Sequence, residues 1–433
     1  MIKRFLARLQ SKEARVGVIG LGYVGLPLAL AFARAGLHAV GFDVDGERTA
    51  AIGRGESYVD DVPPGEVQAA VESGALAATT DFAGLARVDA VTICVPTPLR
   101  KTRDPDLSHV LAAVDRVAAH LRAGQLVVLE STTYPGTIDE IVRPRLEAAA
   151  LRADADFFLA YSPERVDPGS PAWTMRNVPK VVGGVGPEST AAAAALYDLI
   201  ADTVVPVSSP KAAEMVKLLE NTFRAVNIGL VNEVALMCRE LGVDVWEVID
   251  AAKTKPFGFM PFYPGPGLGG HCIAVDPYYL SWTARQHGLE SRLIDAAEAV
   301  NADMPHHVVK RVAEALNSRS LTLRGSRVHL FGMAYKANVA DVRESPAITV
   351  AELLQRRGAA VSYSDPFVPA LRSGSLALRA VPAGEALADG IDCAVIVTDH
   401  GAVDYGKIAR LAPLVVDTRN ALAGIEGAHI FRL

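Results

Sequence analysis

Val16-Gly-Val-Ile-Gly20-Leu-Gly22-Tyr-Val-Gly25, continued by Leu-Pro-Leu-Ala-Leu-Ala-Phe-Ala33, holds eighteen residues without a charge. That is the length at which a membrane-spanning helix has to be weighed. Gly17, Gly20, Gly22, Gly25 and Pro27 break the run, and no other stretch of the chain reads as a span, so it is taken as an apolar strand, a glycine turn and an Ala/Leu helix.

The turn spells Gly-x-Gly-x-x-Gly between a strand and a helix, which is the context such a match needs. Gly20 permits a tight turn, Gly22 lets the backbone approach a pyrophosphate, and Gly25 allows close packing of helix on strand. The next strand ends at Asp43, eighteen residues beyond Gly25. A carboxylate there accepts hydrogen bonds from a ribose diol and repels a 2′-phosphate, which favours NAD over NADP. The plainer alternative is a glycine-rich turn with a strand-capping aspartate, but strand, turn, helix, strand and acid occur in the order NAD binding requires.

Outward from this unit the same texture repeats. Strands are expected at residues 16–19, 39–42, 90–95, 126–129, 157–160 and 180–182, with an edge strand at 203–207 and helical patterns between most of them. Such alternation predicts βαβ units and a parallel sheet covered on both faces. After Pro210, Met215, Leu219, Phe223, Val226, Leu230, Val234, Met237 and Leu241 recur every three or four residues. One helix of about thirty residues, roughly 45 Å long, is expected, serving as domain connector and dimer interface. Helices at 245–253 and 291–317 flank a loop dense in Gly and Pro. From Arg327 the βα alternation returns, with strands at 328–331, 360–364, 391–397 and 414–417 and a helix at 347–357. The expected fold class is α/β, two Rossmann-like doubly wound domains joined by a long central helix and a helical middle domain, divided as 1–209, 210–320 and 321–433.

A length of 433 residues agrees with three domains. Half the residues are hydrophobic and 21% are charged, which excludes disorder, and four scattered cysteines exclude a disulfide scaffold. With 43 basic against 49 acidic residues, nothing at whole-chain level advertises nucleic acid or an anionic membrane as partner. The first fifteen residues are basic throughout and lack an apolar core, so they read as a short amphipathic helix rather than a signal peptide, and a cytoplasmic location is expected.

Cys94, Cys238, Cys272 and Cys393 are too far apart for a Cys-x-x-Cys motif. Cys272 follows Gly269-Gly270-His271, where two glycines allow close approach of a substrate, and a helix starting nearby would favour a thiolate. The alternative is a small buried hydrophobe. His271 and the pair His306-His307 lack a further ligand at metal spacing, so no metal is expected. Lys217 and Asn221 lie one turn apart and roughly opposite the apolar stripe, so they are expected to project together away from the core, as oxyanion-stabilising groups or as a solvated face near Glu214 and Arg224. Glu164, in Ser162-Pro163-Glu164-Arg165, is a candidate acid or base or an ordinary turn residue. Thr97, Ser131 and Thr132 are ligand contacts or turn caps.

Together these motifs resemble the UDP-sugar 6-dehydrogenase family over nearly the whole chain. The residues that carry the resemblance are the Gly20 to Gly25 fingerprint, Glu130-Ser131-Thr132, Ser162-Pro163-Glu164, the helix with Lys217, Asn221 and Asn232-Glu233, Gly269-Gly270-His271-Cys272, and Phe331-Gly-Met-Ala-Tyr-Lys336 with Asp341-Val-Arg-Glu-Ser345. Gly-Gly-His-Cys-Ile-x-Val-Asp-Pro-Tyr-Tyr-Leu and Glu-Ser-Thr-Thr-Tyr-Pro-Gly-Thr look like the branch acting on UDP-N-acetylglucosamine. Ala274 departs from that branch, where Pro is common.

The resemblance implies oxidation of a primary alcohol to an acid by two NAD, through a thiohemiacetal and a thioester on Cys272. It implies Asp276 or Glu164 as the base for thioester hydrolysis, Lys217 and Asn221 as oxyanion stabilisers, and Thr132 ordering water or nicotinamide. Gly20, Gly22, Tyr23, Val24, Gly25, Asp43, Arg48, Pro96, Thr97, Ser131, Thr132 and Arg343 would contact NAD. Glu164, Arg165, Lys217, Asn221, Phe262, Tyr263, Gly267, Gly269 and Lys336 would contact the UDP-sugar, with residues 257–268 clasping it and the C-terminal domain binding UDP. Lys336 and Arg343 would close the interdomain cleft. A homodimer or larger homo-oligomer built on the long helix and a place in polysaccharide biosynthesis are further implications. UDP-N-acetylmannosamine or UDP-glucose are the neighbouring substrates. The rival readings are a two-electron β-hydroxyacid type of dehydrogenase, which needs neither the cysteine nor the second α/β domain, and a non-catalytic NAD or nucleotide-sugar sensor.

Overall fold

The computed structural model describes residues 1–59, 62–100, 102–148, 150–165, 172–270, 273–374 and 376–433. Cys272 and His271 lie outside them, as do residues 166–169. The chain divides into two compact units, Met1–Glu220 with Tyr278–Gln286, and Asn221–Pro277 with His287–Leu433.

The first unit is built on an eight-stranded sheet. Its strands are β1 (Arg15–Ile19), β2 (His38–Phe42), β3 (Leu76–Thr79), β4 (Ala90–Ile93), β5 (Leu126–Leu129), β6 (Phe158–Tyr161), β7 (Lys180–Gly184) and β8 (Val204–Pro206), in the spatial order β3-β2-β1-β4-β5-β6-β7-β8. Leu126 and Val128 join one apolar cluster while Val127 and Leu129 join another. Both faces of β5 are therefore buried, which is why its sequence is a continuous apolar run rather than an alternating one. The strand order reverses between β1 and β4, so the crevice at their carboxyl ends is the place where such a sheet binds a ligand. One pair departs from the all-parallel expectation: β6 and β7 run antiparallel. β3 was not anticipated, because Leu-Ala-Ala-Thr carries almost none of the β-branched or aromatic signal of a strand.

The second unit repeats the scheme with β9 (Arg327–Phe331), β10 (Ala360–Ser364), β13 (Cys393–Ile396), β14 (Val415–Asp417) and β15 (Ile430–Arg432), ordered β10-β9-β13-β14-β15 and all parallel. The antiparallel hairpin of β11 (Ala370–Ser373) and β12 (Leu376–Arg379), like β15, is an addition to the expected strands.

The long helix is Pro210–Leu241, 32 residues. Its orientation reverses the expectation. Lys217 and Asn221 are buried, at 8% and 6% exposure, whereas Leu219 and Leu230 of the apolar stripe are each 57% exposed. The cause lies on the packed face, which carries small residues. A Cβ on Gly229 would come within 2.9 Å of the Ala297 methyl, so this helix approaches the helix Arg292–Asn317 closely through Ala225 and Gly229. Glu214 is not part of a solvated face either. It is fully buried and accepts the N–H groups of Gly136 at 2.6 Å and Ile138 at 3.0 Å, and burial pushes its carboxyl up to about 7. No helix among the described residues is long and apolar enough to cross a membrane.

Candidate active site

Within the first unit, the chain turns after β1 at Gly20, whose φ is 88°. The Gly20 N–H donates to the Phe42 carbonyl at 2.8 Å and the Leu21 N–H to Asp43 Oδ2 at 2.8 Å, so the acid at the end of β2 anchors the turn itself. A Cβ on Gly20 would sit 2.7 Å from the Cys94 carbonyl oxygen, and one on Gly25 would overlap the Gly20 carbonyl oxygen. At Gly22 a Cβ would meet nothing within 4 Å. Packing demands the first and third glycines. The second faces open space ahead of the helix Gly25–Arg34, flanked by Tyr23 and Val24, and that cradle fits a dinucleotide pyrophosphate. Arg48 Nη1 lies 3.6 Å from Asp43 Oδ2, and Asp43 Oδ1 takes the Asp45 N–H. Tyr58 donates to the Leu21 carbonyl at 2.6 Å; burial and then the charge of Asp43 push its hydroxyl up to about 12.

Beyond β4, Pro96 is exposed and Thr97 is buried, its carbonyl accepting from Tyr279 Oη at 2.9 Å. Ser131 donates to the Val95 carbonyl at 2.7 Å, which ties the segment after β5 to that after β4 and gives its hydroxyl a turn-fixing role. Thr132, next to it, is half-buried.

After β6, Glu164 Oε2 lies 3.0 Å from Lys180 Nζ, and Lys180 also reaches Glu130 Oε2 at 2.6 Å. Burial works against the Lys180 ammonium, but Glu130 and Glu164 outweigh it and hold its pKa above the ordinary lysine value. Lys217 donates to the Glu164 carbonyl at 2.6 Å. Arg165 is engaged by Glu220 at 2.5 Å and by the Pro179 carbonyl at 2.5 Å. Glu130 and Lys180 were not foreseen as site residues. Glu130 stood in a quoted motif, whereas Lys180 gave no signal beyond opening a strand with a charge.

Within the second unit, Asn221 Nδ2 donates to Asp276 Oδ2 at 2.5 Å, and Asp276 is buried at the start of the helix Asp276–Gln286. Asp276 is the fourth residue after Cys272 along the chain. Gly269 and Gly270 are not open to an incoming molecule as expected: a Cβ on either would come within 2.6 to 2.7 Å of Tyr335, and the Gly270 N–H donates to the Arg343 carbonyl at 3.0 Å. These glycines let the loop lie against the segment that follows β9. Gly267 has a φ of 132°. Phe262 meets Phe223 edge-on at 5.8 Å, and Tyr263 stacks on Trp246 at 5.9 Å. Asn232 holds the loop from below, accepting the Gly265 N–H at 2.9 Å and donating to Asn301 Oδ1 at 2.9 Å.

Arg343 forms a forked pair with Asp341, and Lys336 is half-buried on the same segment. Gly332 and Asp365 repeat the device of Gly20 and Asp43. Gly332 has a φ of 91° and donates to the Ser364 carbonyl, while Asp365 Oδ2 accepts the N–H groups of Met333 and Ala334. His400 Nδ1 accepts the Asn338 N–H, so its proton sits on Nε2 and is donated to Asp365 at 3.0 Å. Burial opposes the Asp365 charge, but His400 and these backbone donors hold the carboxyl down at about 2. Arg419, after β14, was missed: it donates to the Val397 carbonyl and lies against Gly265.

Cys94 is pushed well up by burial and then by Glu130, and Cys393 is pushed up to about 12 by burial and then by Asp392. Neither is a thiolate at neutral pH.

Three models of one family, described as UDP-glucose/GDP-mannose dehydrogenase, match the chain. The NAD binding domain matches residues 14–201, the central domain 211–303 and the UDP binding domain 329–424. The UDP-N-acetyl-D-mannosamine dehydrogenase of Salmonella typhi is 39% identical over 353 residues, covering 79% of this chain and 82% of that one. The UDP-N-acetyl-D-glucosamine 6-dehydrogenase of Pseudomonas aeruginosa is 37% identical over 361 residues, covering 83% and 84%. Among solved structures, the UDP-D-ManNAc dehydrogenase of Pyrococcus horikoshii is 33% identical, with a TM-score of 0.88 over 96% of this chain and 98% of that one.

Proposed function

The chain belongs to the UDP-glucose/GDP-mannose dehydrogenase family as an NAD-dependent UDP-sugar dehydrogenase, and within that class we propose that it oxidises the C6 hydroxyl of UDP-N-acetylglucosamine to the uronic acid through Cys272. The balance is one alcohol, one water and two NAD⁺ giving one carboxylate, two NADH and three protons. NAD supplies the hydride acceptor in both oxidations. The observation that carries the reading is the Asn221 amide held 2.5 Å from the Asp276 carboxylate, four residues after Cys272. An amide donor and a buried carboxylate four residues along the chain from a cysteine supply what an aldehyde-capturing thiol needs: one group for the oxyanion and one to take a proton from water.

Cys272 captures the aldehyde as a thiohemiacetal, and after the second oxidation water cleaves the thioester. Glu164, with its carboxyl on Lys180, is the other candidate for that proton and for the proton of the C6 hydroxyl. Lys217 and Asn221 stabilise the oxyanions, and Thr132 orders water or nicotinamide. Gly22 would take the pyrophosphate of NAD and Asp43 its ribose, with Arg48, Pro96, Thr97 and Ser131 as the further residues that would hold it. Lys336 and Arg419 would meet the UDP diphosphate, with Phe262, Tyr263 and Gly267 as the sugar side. A homodimer through the exposed stripe Leu219, Phe223, Leu230 and Met237 belongs to the same proposal and is supported by the exposure of those side chains.

The experiment is stoichiometry with a variant. Two NADH per sugar are expected, and Cys272→Ala should form no acid; one NADH per sugar, or full activity in the variant, would sink the thioester route. UDP-N-acetylmannosamine is the second reading, favoured by the 39% identity to the Salmonella typhi protein. Initial rates on UDP-N-acetylglucosamine, UDP-N-acetylmannosamine and UDP-glucose side by side decide among them, and turnover of any of the three disposes of a non-catalytic sensor.

A further inference from the structure

Lysine is almost never buried in a folded chain unless it is paired. Lys180 is 4% exposed. It opens β7, the strand that runs antiparallel to β6, and that reversal sets it beside Ser162-Pro163-Glu164 at the end of β6. Its ammonium lies 2.6 Å from Glu130 Oε2 and 3.0 Å from Glu164 Oε2. The second oxygen of Glu130 takes the Tyr197 hydroxyl at 2.5 Å, and the ammonium lies 5.1 Å from the centre of the Tyr197 ring. Glu164 Oε1 accepts the Arg165 N–H at 2.6 Å. Among the described residues, polar groups facing this cluster include the Cys94 thiol, the Lys217 ammonium on the Glu164 carbonyl, and the Arg165 guanidinium, which is engaged by Glu220. Glu130, anchored by Tyr197, thus fixes Lys180 from one side, and Lys180 presents its remaining donors to Glu164.

We propose that Lys180 is a positioning residue for the proton transfers of this enzyme: bound to Glu130 and Glu164 at once, it fixes the Glu164 carboxylate at the carboxyl edge of the first sheet and keeps it unprotonated. The proposal rests on the reading of Glu164 as an acid–base group. A buried cation shared by two carboxylates favours the ionised form of both, and Tyr197 keeps Lys180 from turning wholly toward either.

Lys180→Met alone would strand two buried carboxylates, so the test uses Lys180→Met with Glu130→Gln, which removes a positive and a negative charge together and keeps the volumes. In this double variant the acidic limb of the kcat profile is expected about one pH unit higher, a roughly tenfold lower kcat on that limb. KM for the UDP-sugar and the unfolding temperature should stay near the parental values, and Lys180→Arg should return the limb toward the parental position. A folded double variant with the parental limb overturns the proposal. If the double variant does not fold, Tyr197→Phe takes its place: it frees Glu130 to draw Lys180 away from Glu164, and an unmoved limb there overturns the proposal equally. Glu164→Gln separates the two levels. Parental kcat in Glu164→Gln overturns the acid–base reading and this proposal with it, whereas a lost rate in Glu164→Gln beside an unmoved limb in the double variant overturns the role of Lys180 alone.

Discussion

Gly22 and Gly25 stand three residues apart in one turn and answer to different demands. A Cβ on Gly25 would overlap the Gly20 carbonyl oxygen, so Gly25→Ala is expected to cost the fold itself, read as a large drop in unfolding temperature without ligand. A Cβ on Gly22 enters open space. Gly22→Ala should therefore keep the parental unfolding temperature without ligand and weaken NADH binding by about tenfold or more, because the methyl occupies the approach of the pyrophosphate. Fluorescence titration with NADH and a melting curve measure the two effects separately. Equal loss of stability in both variants would refute the distinction. The fingerprint was legible in the sequence because its parts are local. Glu130 and Lys180 are fifty residues apart, and only the antiparallel return of β7 beside β6 brings their charges together.

At the scale of elements, the long helix shows where pattern reading reaches its limit. Its period and extent were plain, but period alone does not say which face packs inward. Ala225 and Gly229 decided that by allowing close approach of a second helix, and the large apolar side chains were left outside. Leu230→Glu is accordingly expected to lower the mass measured by light scattering to that of one chain, with unfolding cooperativity retained; an unchanged assembly would exclude this stripe as the interface. A second element-level prediction concerns Asn232. Asn232→Leu leaves the Gly265 N–H and Asn301 Oδ1 without their partner, at a cost of about 1–3 kcal/mol. A lower unfolding temperature and a raised KM for the UDP-sugar should appear together, since the same side chain supports the loop.

For the whole molecule, the second unit carries a buried titratable group on an interior strand of its sheet. His329 is fully buried on β9, its ring bonded to Ser362 and Ser364 at 2.7 Å each, and burial pushes its pKa down to about 4. The unfolded chain takes up that proton near 6.5, so the stability contributed by the neutral ring is whole above pH 6.5 and is lost as the pH falls toward 4, by about 3 kcal/mol in the limit. Urea unfolding at pH 7.5 and 4.5 should show that loss in the parent and a smaller one in His329→Gln; equal losses would contradict it.

The sequence by itself determined the two doubly wound units, the glycine turn and its acid, and the long helix, because each depends on periodicity or on contacts a few residues apart. Tertiary structure alone decided the antiparallel return of β7, the inward turn of Lys217 and Asn221, the seating of Gly269 and Gly270 on Tyr335, and the cluster of Glu130, Lys180 and Glu164. These are meetings of distant segments, and a charge becomes a site residue only when folding removes water from around it and supplies a partner.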